Sequence, residues 1–378
     1  MGTAARPAVA GRAAPCACHV GPGGSDGSVT DTPWPAGTAT GIGSMPGTDP
    51  LEAARIVVGE LPDLPHLPEL PARGVGADLI GRTAALLVDL AVEVVPSGYR
   101  VTAHPGRDHR RGVDLLRGDL DAFDEALDGA GVTPRLVKVQ LAGPWTLTAN
   151  VELVRGHRVY TDHGALRDFT ESLSEGLAAH VAELRSRTGA DVVVQLDEPS
   201  LPAVLAGSLP TPSGYGTVPA VPEPEVIGAL SRVVEAARRA TGQPVLVHCC
   251  APRPPVGLFR RAGADAIAVD VSGEAGWLPD APTAWWDELG ETWDGGAVLL
   301  LGLVPGTDPA RPPELAEAAR PALDIADRLG FRRSLLAERA VPVPGCGLAG
   351  ATPGWARRAL GLVRDLGRAF VEPPESWS

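Results

Sequence analysis

The segment QPVLVHCC, residues 243–250, is an apolar strand-like run that ends in a histidine and two cysteines. A helical stretch with one apolar stripe precedes it at 223–241, and a second apolar run, ADAIAVDVS, follows at 264–272. Strand-like runs that alternate with amphipathic helices are typical of α/β proteins with a parallel sheet. This part of the chain therefore predicts an α/β fold.

The same alternation extends along most of the chain. Strand-like runs lie at 37–44, 65–70, 135–143, 190–199, 243–250, 264–272, 297–306 and 339–347. Helices are predicted at 50–60, 76–95, 165–188, 223–241, 254–263, 312–330 and 353–370. The segment 96–134 is interpreted as an excursion that contains one extra strand, GYRVTA at 98–103. Because eight parallel strands close a barrel, we predict a single (β/α)8 TIM barrel over residues 37–378.

Composition limits the location and the partners. Residues 1–36 are rich in Ala, Gly, Pro, Ser and Thr without apolar periodicity, which predicts a disordered tail. A net charge of -13 opposes binding to nucleic acid or to an anionic membrane. No apolar run approaches the roughly 18 residues that span a bilayer. Five cysteines form no disulfide framework, so we expect a cytoplasmic protein with no nucleic-acid or membrane partner.

Three side chains at strand ends suggest a metal site. In a strand, residues i and i+2 point to the same side, so His248 and Cys250 face one ion while Cys249 turns into the wall. Cys346 ends a distant strand, and the carboxyl ends of barrel strands meet at one face. One imidazole and two thiolates suit Zn2+ and leave a coordination position for a substrate. The alternative is that the cysteines pack in the core and the histidine is hydrogen-bonded at a strand end.

Other predicted strands also end in polar side chains, at Ser44, Glu69 and Asp270. These three residues are candidates for a site at the barrel mouth. Each has a structural alternative: Ser44 forms only a turn, Glu69 pairs with Arg73, and Asp270 anchors a loop.

Three further residues, Asp197, Glu198 and Lys138, have chemistry that limits the mechanism. Asp197 and Glu198 are adjacent in a strand and point to opposite sides, so one of them faces the mouth and the other caps a helix or binds an arginine. Lys138 is the only lysine of the chain, which excludes a P-loop. A Schiff-base mechanism would depend on this one residue, inside a strand rather than at its end.

Five motifs occur in an order that resembles a known family. They are IGSMP at 42–46, DEPSL at 197–201, HCC at 248–250, DAIAVD at 265–270 and CGL at 346–348. Together they resemble the cobalamin-independent methionine synthases, specifically their C-terminal catalytic barrel, over roughly residues 37 to 370.

The resemblance implies a zinc site made of His248, Cys250, Cys346 and an acidic fourth ligand. Asp270 matches the position of that acid, where the family usually has glutamate. Glu274, four residues later, is the alternative ligand.

The resemblance also implies that Ser44 and Asp197 hold the carboxylate and the ammonium of homocysteine, with Glu69 as a weaker second ammonium contact. Asp197 and Asp270 are then the expected catalytic residues. The reaction implied is zinc-dependent transfer of a methyl group to the homocysteine thiol, which forms methionine.

The methyl donor stays open between methyl-folate and a methyl-corrinoid, either free or on a carrier protein. The segment VPGTDPARPP at 304–313 lacks the histidine that the full-length enzymes place near the donor, and their N-terminal half has no counterpart here. Three alternatives remain: a related zinc-dependent thiol alkyltransferase, a non-catalytic zinc or thiol-binding barrel, and a two-carboxylate hydrolase that uses Asp197 or Glu198.

Overall fold

The structure is a computed structural model that describes residues 1–2, 32–211, 213–273 and 278–372. The helices among these residues are α1 Pro50–Glu60, α2 Leu79–Ala84, α3 Arg107–Ala130, α4 Pro144–Asn150, α5 His163–Thr188, α6 Leu201–Ala206, α7 Glu223–Thr241, α8 Val256–Arg261, α9 Thr283–Asp294, α10 Leu315–Leu329, α11 Leu335–Arg339 and α12 Pro353–Val371. The strands are β1 Ala91–Val95, β2 Gly98–Thr102, β3 Leu136–Ala142, β4 Val151–Glu152, β5 Asp191–Asp197, β6 Val245–Cys249, β7 Ala266–Asp270, β8 Val298–Val304 and β9 Ala340–Pro344. The tail predicted at 1–36 lies almost wholly outside the described residues.

Six strands form one parallel sheet in the order β3-β5-β6-β7-β8-β9. The predicted α/β class is therefore confirmed, and six of the eight predicted strands are regular. In the described residues the sheet follows chain order because helices connect successive parallel strands. The sheet curls, so the inner sides of its strands face a common interior.

The first two predicted strands are extended segments joined by isolated bridges, not regular strands. Ser44 is bridged to Glu69, and His66 is bridged to Lys138 on β3. The second segment contains Pro65 and Pro68, and both lack the amide hydrogen that a regular ladder needs. The prediction of eight regular strands was wrong at these two segments.

The first of these segments also contacts the far edge of the sheet. The Thr40 amide donates a hydrogen bond to the Pro342 carbonyl of β9 at 3.4 Å. Backbone hydrogen bonds thus run from β9 through residues 40–44 and 65–70 to β3.

Two apolar layers hold the sheet in place. One lies between the sheet and its helices; for example, α7 buries Val226, Leu230, Val233 and Val234 on one stripe, as its sequence predicts. The second fills the interior of the curl and consists of Trp34, Ile42, Leu64, Leu136, Val193, Leu246, Ala266, Ala268, Val298, Leu300, Val341 and Val343. Polar side chains lie nearer the carboxyl ends of the strands.

Residues 76–134, predicted as a helix at 76–95 followed by an excursion at 96–134, differ from their prediction. The helix predicted at 76–95 ends at Ala84, and the valine-rich end of that range forms β1, which pairs antiparallel with β2. β-Branched residues favour a strand there. The 24-residue helix α3 was not predicted, although it buries Leu116, Leu120, Phe123 and Leu127 at helical spacing.

None of the helices in the described part of the chain is both long enough and apolar enough to cross a membrane.

Candidate metal centre

The ends of β6 and β9 bring together the three ligands expected from sequence. One ligand atom from each of His248, Cys250 and Cys346 lies within 4.8 Å of the other two. Cys249 is fully buried on the other side of the strand, as the alternation of side chains requires. The set of one imidazole and two thiols matches the preference of Zn2+.

A carboxylate holds the histidine in one orientation. Register pairs Asp197 on β5 with His248 on β6, and Asp197 Oδ1 lies 2.7 Å from His248 Nδ1. The other ring nitrogen, Nε2, is buried next to the sulfur of Cys346 and makes no hydrogen bond of good geometry to any described residue. A carboxylate that binds one nitrogen and leaves the other free is the usual environment of a histidine metal ligand. The three side chains therefore fit a zinc ion.

The three candidate ligands have shifted pKa values because they are buried next to one another. Burial lowers the pKa of His248, but the bond to Asp197 and the neighbouring Cys346 thiol more than offset this and raise the pKa to about 9. The hydrogen bond from Cys250 lowers the pKa of Cys346 to about 4, with His248 adding to the effect against burial. The same bond, with burial, raises the pKa of Cys250. A metal ion must displace these protons, so its binding will depend on pH.

Asp270 lies beside this group but is not part of it. Its Oδ1 accepts hydrogen bonds from the Ser272 amide at 2.9 Å and the Ser272 hydroxyl at 2.7 Å. The same oxygen lies 2.6 Å from the position a Cβ would take at Gly345, one residue before Cys346. In this conformation Asp270 anchors its own loop, next to the metal centre. Glu274, the alternative fourth ligand, lies outside the described residues.

Ser44 is held against the loop that contains Cys346. Its carbonyl accepts a hydrogen bond from the Leu348 amide at 2.8 Å. A Cβ at Gly347 would lie 1.9 Å from Ser44 Oγ, so only glycine permits this approach. Ser44 therefore lies at the mouth, close to the candidate ligands.

Glu69 lies in a buried charge network rather than in a pair with Arg73. Its Oε1 is 3.7 Å from Arg82 Nε, whereas Arg73 binds Asp119 at 2.7 Å. Burial raises the pKa of Glu69 to about 7; Arg82 lowers it, and nearby Asp197 raises it again. Two carboxyl groups, those of Glu69 and Asp197, thus share one region of the mouth, which suits a cationic group.

Glu198 has the structural role that the sequence left as an alternative. It is fully buried, and its carboxylate accepts hydrogen bonds from the Trp145 amide at 3.0 Å and from the Thr146 amide at 2.7 Å. The Thr146 hydroxyl donates a third bond at 2.8 Å. Glu198 therefore caps α4, facing away from Asp197. This arrangement gives no pair of catalytic carboxylates at 197–198 for a hydrolase.

Below the candidate ligands lies a buried polar layer that sequence reasoning did not assign to the site. Gln195 Nε2 donates to Asp197 Oδ1 at 2.8 Å, and Lys138 Nζ donates to Gln195 Oε1 at 2.7 Å. Gln140 lies beside Lys138, 3.2 Å from its Nζ. The signal was available, because each of these residues is two positions from another inward-facing polar residue on its strand. Lys138 has no exposed surface, so it is not placed to form a Schiff base with a substrate.

Residues 36–369 match the sequence profile described as "Cobalamin-independent synthase, Catalytic domain". A B12-independent methionine synthase from Shewanella sp. W3-18-1, solved in complex with selenomethionine, has a similar fold, with a TM-score of 0.57 and 12% identity. The similarity covers 88% of this chain and 97% of that chain.

A second solved structure, a methyltransferase from Methanosarcina mazei, has a TM-score of 0.48 and 16% identity over 91% of this chain and 94% of that one. The search of curated proteins found no match.

Proposed function

The chain belongs to the cobalamin-independent synthase family, through the catalytic domain, and is a methyltransferase-like enzyme; from this premise we propose that it methylates the thiol of homocysteine with the help of zinc. The observation that carries the proposal is the buried Nε2 of His248, which lies beside two cysteine sulfurs while Nδ1 is bound to Asp197.

His248 Nε2 and the sulfurs of Cys250 and Cys346 would hold the ion. Bound zinc supplies a Lewis acid that lowers the pKa of a substrate thiol, normally near 8.5, and so generates the nucleophilic thiolate. Three protein ligands leave one coordination position for that thiol. Asp270 is proposed as a fourth, displaceable ligand because it ends β7 beside Gly345; its Oδ1 accepts from Ser272, so its Oδ2 is the oxygen assigned to the ion.

The amino-acid end of the substrate is assigned to Asp197, Glu69 and Ser44. Asp197 Oδ1 already accepts bonds from His248 and Gln195, so its Oδ2 is the atom we assign to the substrate ammonium. Glu69 adds a second acceptor on the same side, and its pKa near 7 falls when a cation approaches. Ser44 would donate its hydroxyl to the substrate carboxylate. Binding both ends orients the sulfur toward the metal centre.

We also propose that the fold is the closed (β/α)8 barrel expected from sequence. The backbone bonds that connect β9, the two extended segments and β3 support closure. A cytoplasmic location is proposed with it, because Cys249, Cys250 and Cys346 are free thiols that a reducing compartment preserves.

The test is metal analysis of the purified protein, followed by methyl transfer to homocysteine with two donors in separate reactions, methyl-folate and methylcobalamin. We expect one zinc per chain and methionine from one of the two donors. Zinc without methionine, but with alkylation of another thiol, would support the thiol alkyltransferase instead. Zinc and homocysteine binding without any transfer would support a non-catalytic barrel, and a protein that binds no zinc would refute the proposal.

A further inference from the structure

Lys138 is unusual because it is the only lysine in the chain and is completely buried. Its Nζ has three acceptors: the Ile42 carbonyl at 2.9 Å, Gln140 Oε1 at 3.2 Å and Gln195 Oε1 at 2.7 Å. An ammonium has three N–H donors and no acceptor. The three acceptors therefore match the protonated amine and leave no donor to turn toward a substrate. Burial lowers the pKa of Lys138 to about 7, although Asp197 and Glu69 act in the opposite direction, so the ammonium is the main form below that pH.

The ammonium determines the orientation of the Gln195 amide. Because Lys138 can only donate, the end of the amide that faces it must be the oxygen. The nitrogen then faces the other way, where Nε2 donates to the Ile42 carbonyl at 2.9 Å and to Asp197 Oδ1 at 2.8 Å. A flipped amide would place oxygen against the carboxylate and nitrogen against the ammonium, and both contacts would be repulsive.

Asp197 connects the Gln195 amide to the metal centre, because its Oδ1 accepts hydrogen bonds from both Gln195 and His248. A carboxylate is an acceptor only, so the histidine nitrogen that faces it, Nδ1 at 2.7 Å, must carry the proton. When an ion is bound the proton stays on Nδ1, so Nε2 is the nitrogen of His248 that would bind the ion beside Cys250 and Cys346. Lys138 thus sets the orientation of the Gln195 amide, and that amide donates to the Asp197 oxygen that also accepts the proton of His248 Nδ1.

We propose that Lys138 is a positioning residue for the metal centre: acting through Gln195, it holds the Asp197 carboxylate in the orientation that keeps the proton of His248 on Nδ1 and leaves Nε2 for the ion. The inference rests on the proposed zinc function. A purely structural role for Lys138 would lower stability without changing the tautomer of His248 or the metal affinity of the folded protein.

The test compares three single variants of the full chain. Lys138→Met and Gln195→Met each break the connection, and both should weaken zinc binding by about 10- to 100-fold in competition with a chromophoric chelator. Because they act through one path, the double variant should lose little more than either single variant. Gln140→Met is the matched control: it removes another partner of Lys138 but has no contact with Asp197, and its zinc affinity should stay within about threefold of wild type.

Nuclear magnetic resonance supplies a readout independent of activity. Selective 15N-lysine labelling gives one side-chain signal, since the chain has one lysine, and below about pH 7 we expect it to be that of an ammonium. In 15N-histidine-labelled, zinc-loaded protein, the Nδ1 proton of His248, assigned from a His248→Asn variant, should be visible in wild type and in Gln140→Met. It should broaden or be lost in Lys138→Met and Gln195→Met.

The outcomes separate the two proposals. If wild type binds no zinc, the proposed function fails first. If wild type binds zinc and folded Lys138→Met binds it equally well with an unchanged His248 signal, only the positioning role is refuted; a neutral amine signal for Lys138 below about pH 7 also refutes it. If Lys138→Met does not fold, Gln195→Met decides, because wild-type zinc affinity in that variant refutes the inference.

Discussion

Replacing Asp197 by asparagine separates its contact with His248 from its proposed contact with the substrate ammonium. Asp197 is 6% exposed, and its Oδ1 accepts from His248 and Gln195, at 2.7 and 2.8 Å. Asparagine keeps the volume and an oxygen that can accept both bonds, so zinc should be retained. The negative charge that would meet the substrate ammonium is lost. A hydrogen bond to a charged group contributes about 1.5–3 kcal/mol, so homocysteine affinity should fall by roughly 10- to 150-fold.

Calorimetry with zinc-loaded protein measures the effect. The matched ligand is 4-mercaptobutyrate, which has the thiol and carboxylate of homocysteine but no amino group; its affinity should be nearly unchanged in Asp197→Asn. Glu198→Gln is the matched protein control, since it makes the same chemical change one residue along, on the side that faces α4. Equal loss for both ligands, or no loss for homocysteine, would refute the assignment of Asp197 to the ammonium.

Three other changes test separate parts of the structure. Cys346→Ser should remove most of the zinc and leave the circular dichroism spectrum unchanged; unfolding together with zinc loss would instead indicate a structural site. Glu198→Leu leaves the donors of Trp145 and Thr146 unpaired and should lower the free energy of unfolding in urea by about 2–6 kcal/mol, so a change below about 1 kcal/mol would contradict the capping role. Burial, with Arg82, lowers the pKa of His180 to about 3. The unfolded chain therefore binds a proton below about pH 6.5 that the folded protein does not, and stability falls by up to about 1.4 kcal/mol per pH unit from there toward pH 3. His180→Leu should show a shallower fall, and parallel curves would exclude the effect.

The parts of the fold that follow from local pattern were predictable. The α7 bounds, 223–241, agree with the structure because its apolar stripe and the glycine that follows it are local signals. The strands β3 and β5 to β9 were recognisable for the same reason, as short apolar runs between helices. Segments 37–44 and 65–70 were overestimated as strands, since their pairing depends on partners distant in sequence.

The site was only partly predictable. Alternation within a strand was enough to place His248 and Cys250 on one side and to separate Asp197 from Glu198, because side-chain direction is a local property of extended backbone. The partner of Glu69 was missed because Arg82 lies on α2, and the Asp119 carboxylate that also binds Arg82 lies on α3; these contacts join residues distant in sequence.

The sequence by itself determined the class of the fold, the ligand types and the side of the strand on which each ligand lies. Only the tertiary structure decided that Asp197 binds His248 and that Glu198 caps α4. It also decided that Gln195 lies between Lys138 and Asp197. The physical reason is register. A hydrogen bond depends on which residues of neighbouring strands face each other, and the packing of the whole sheet sets that alignment.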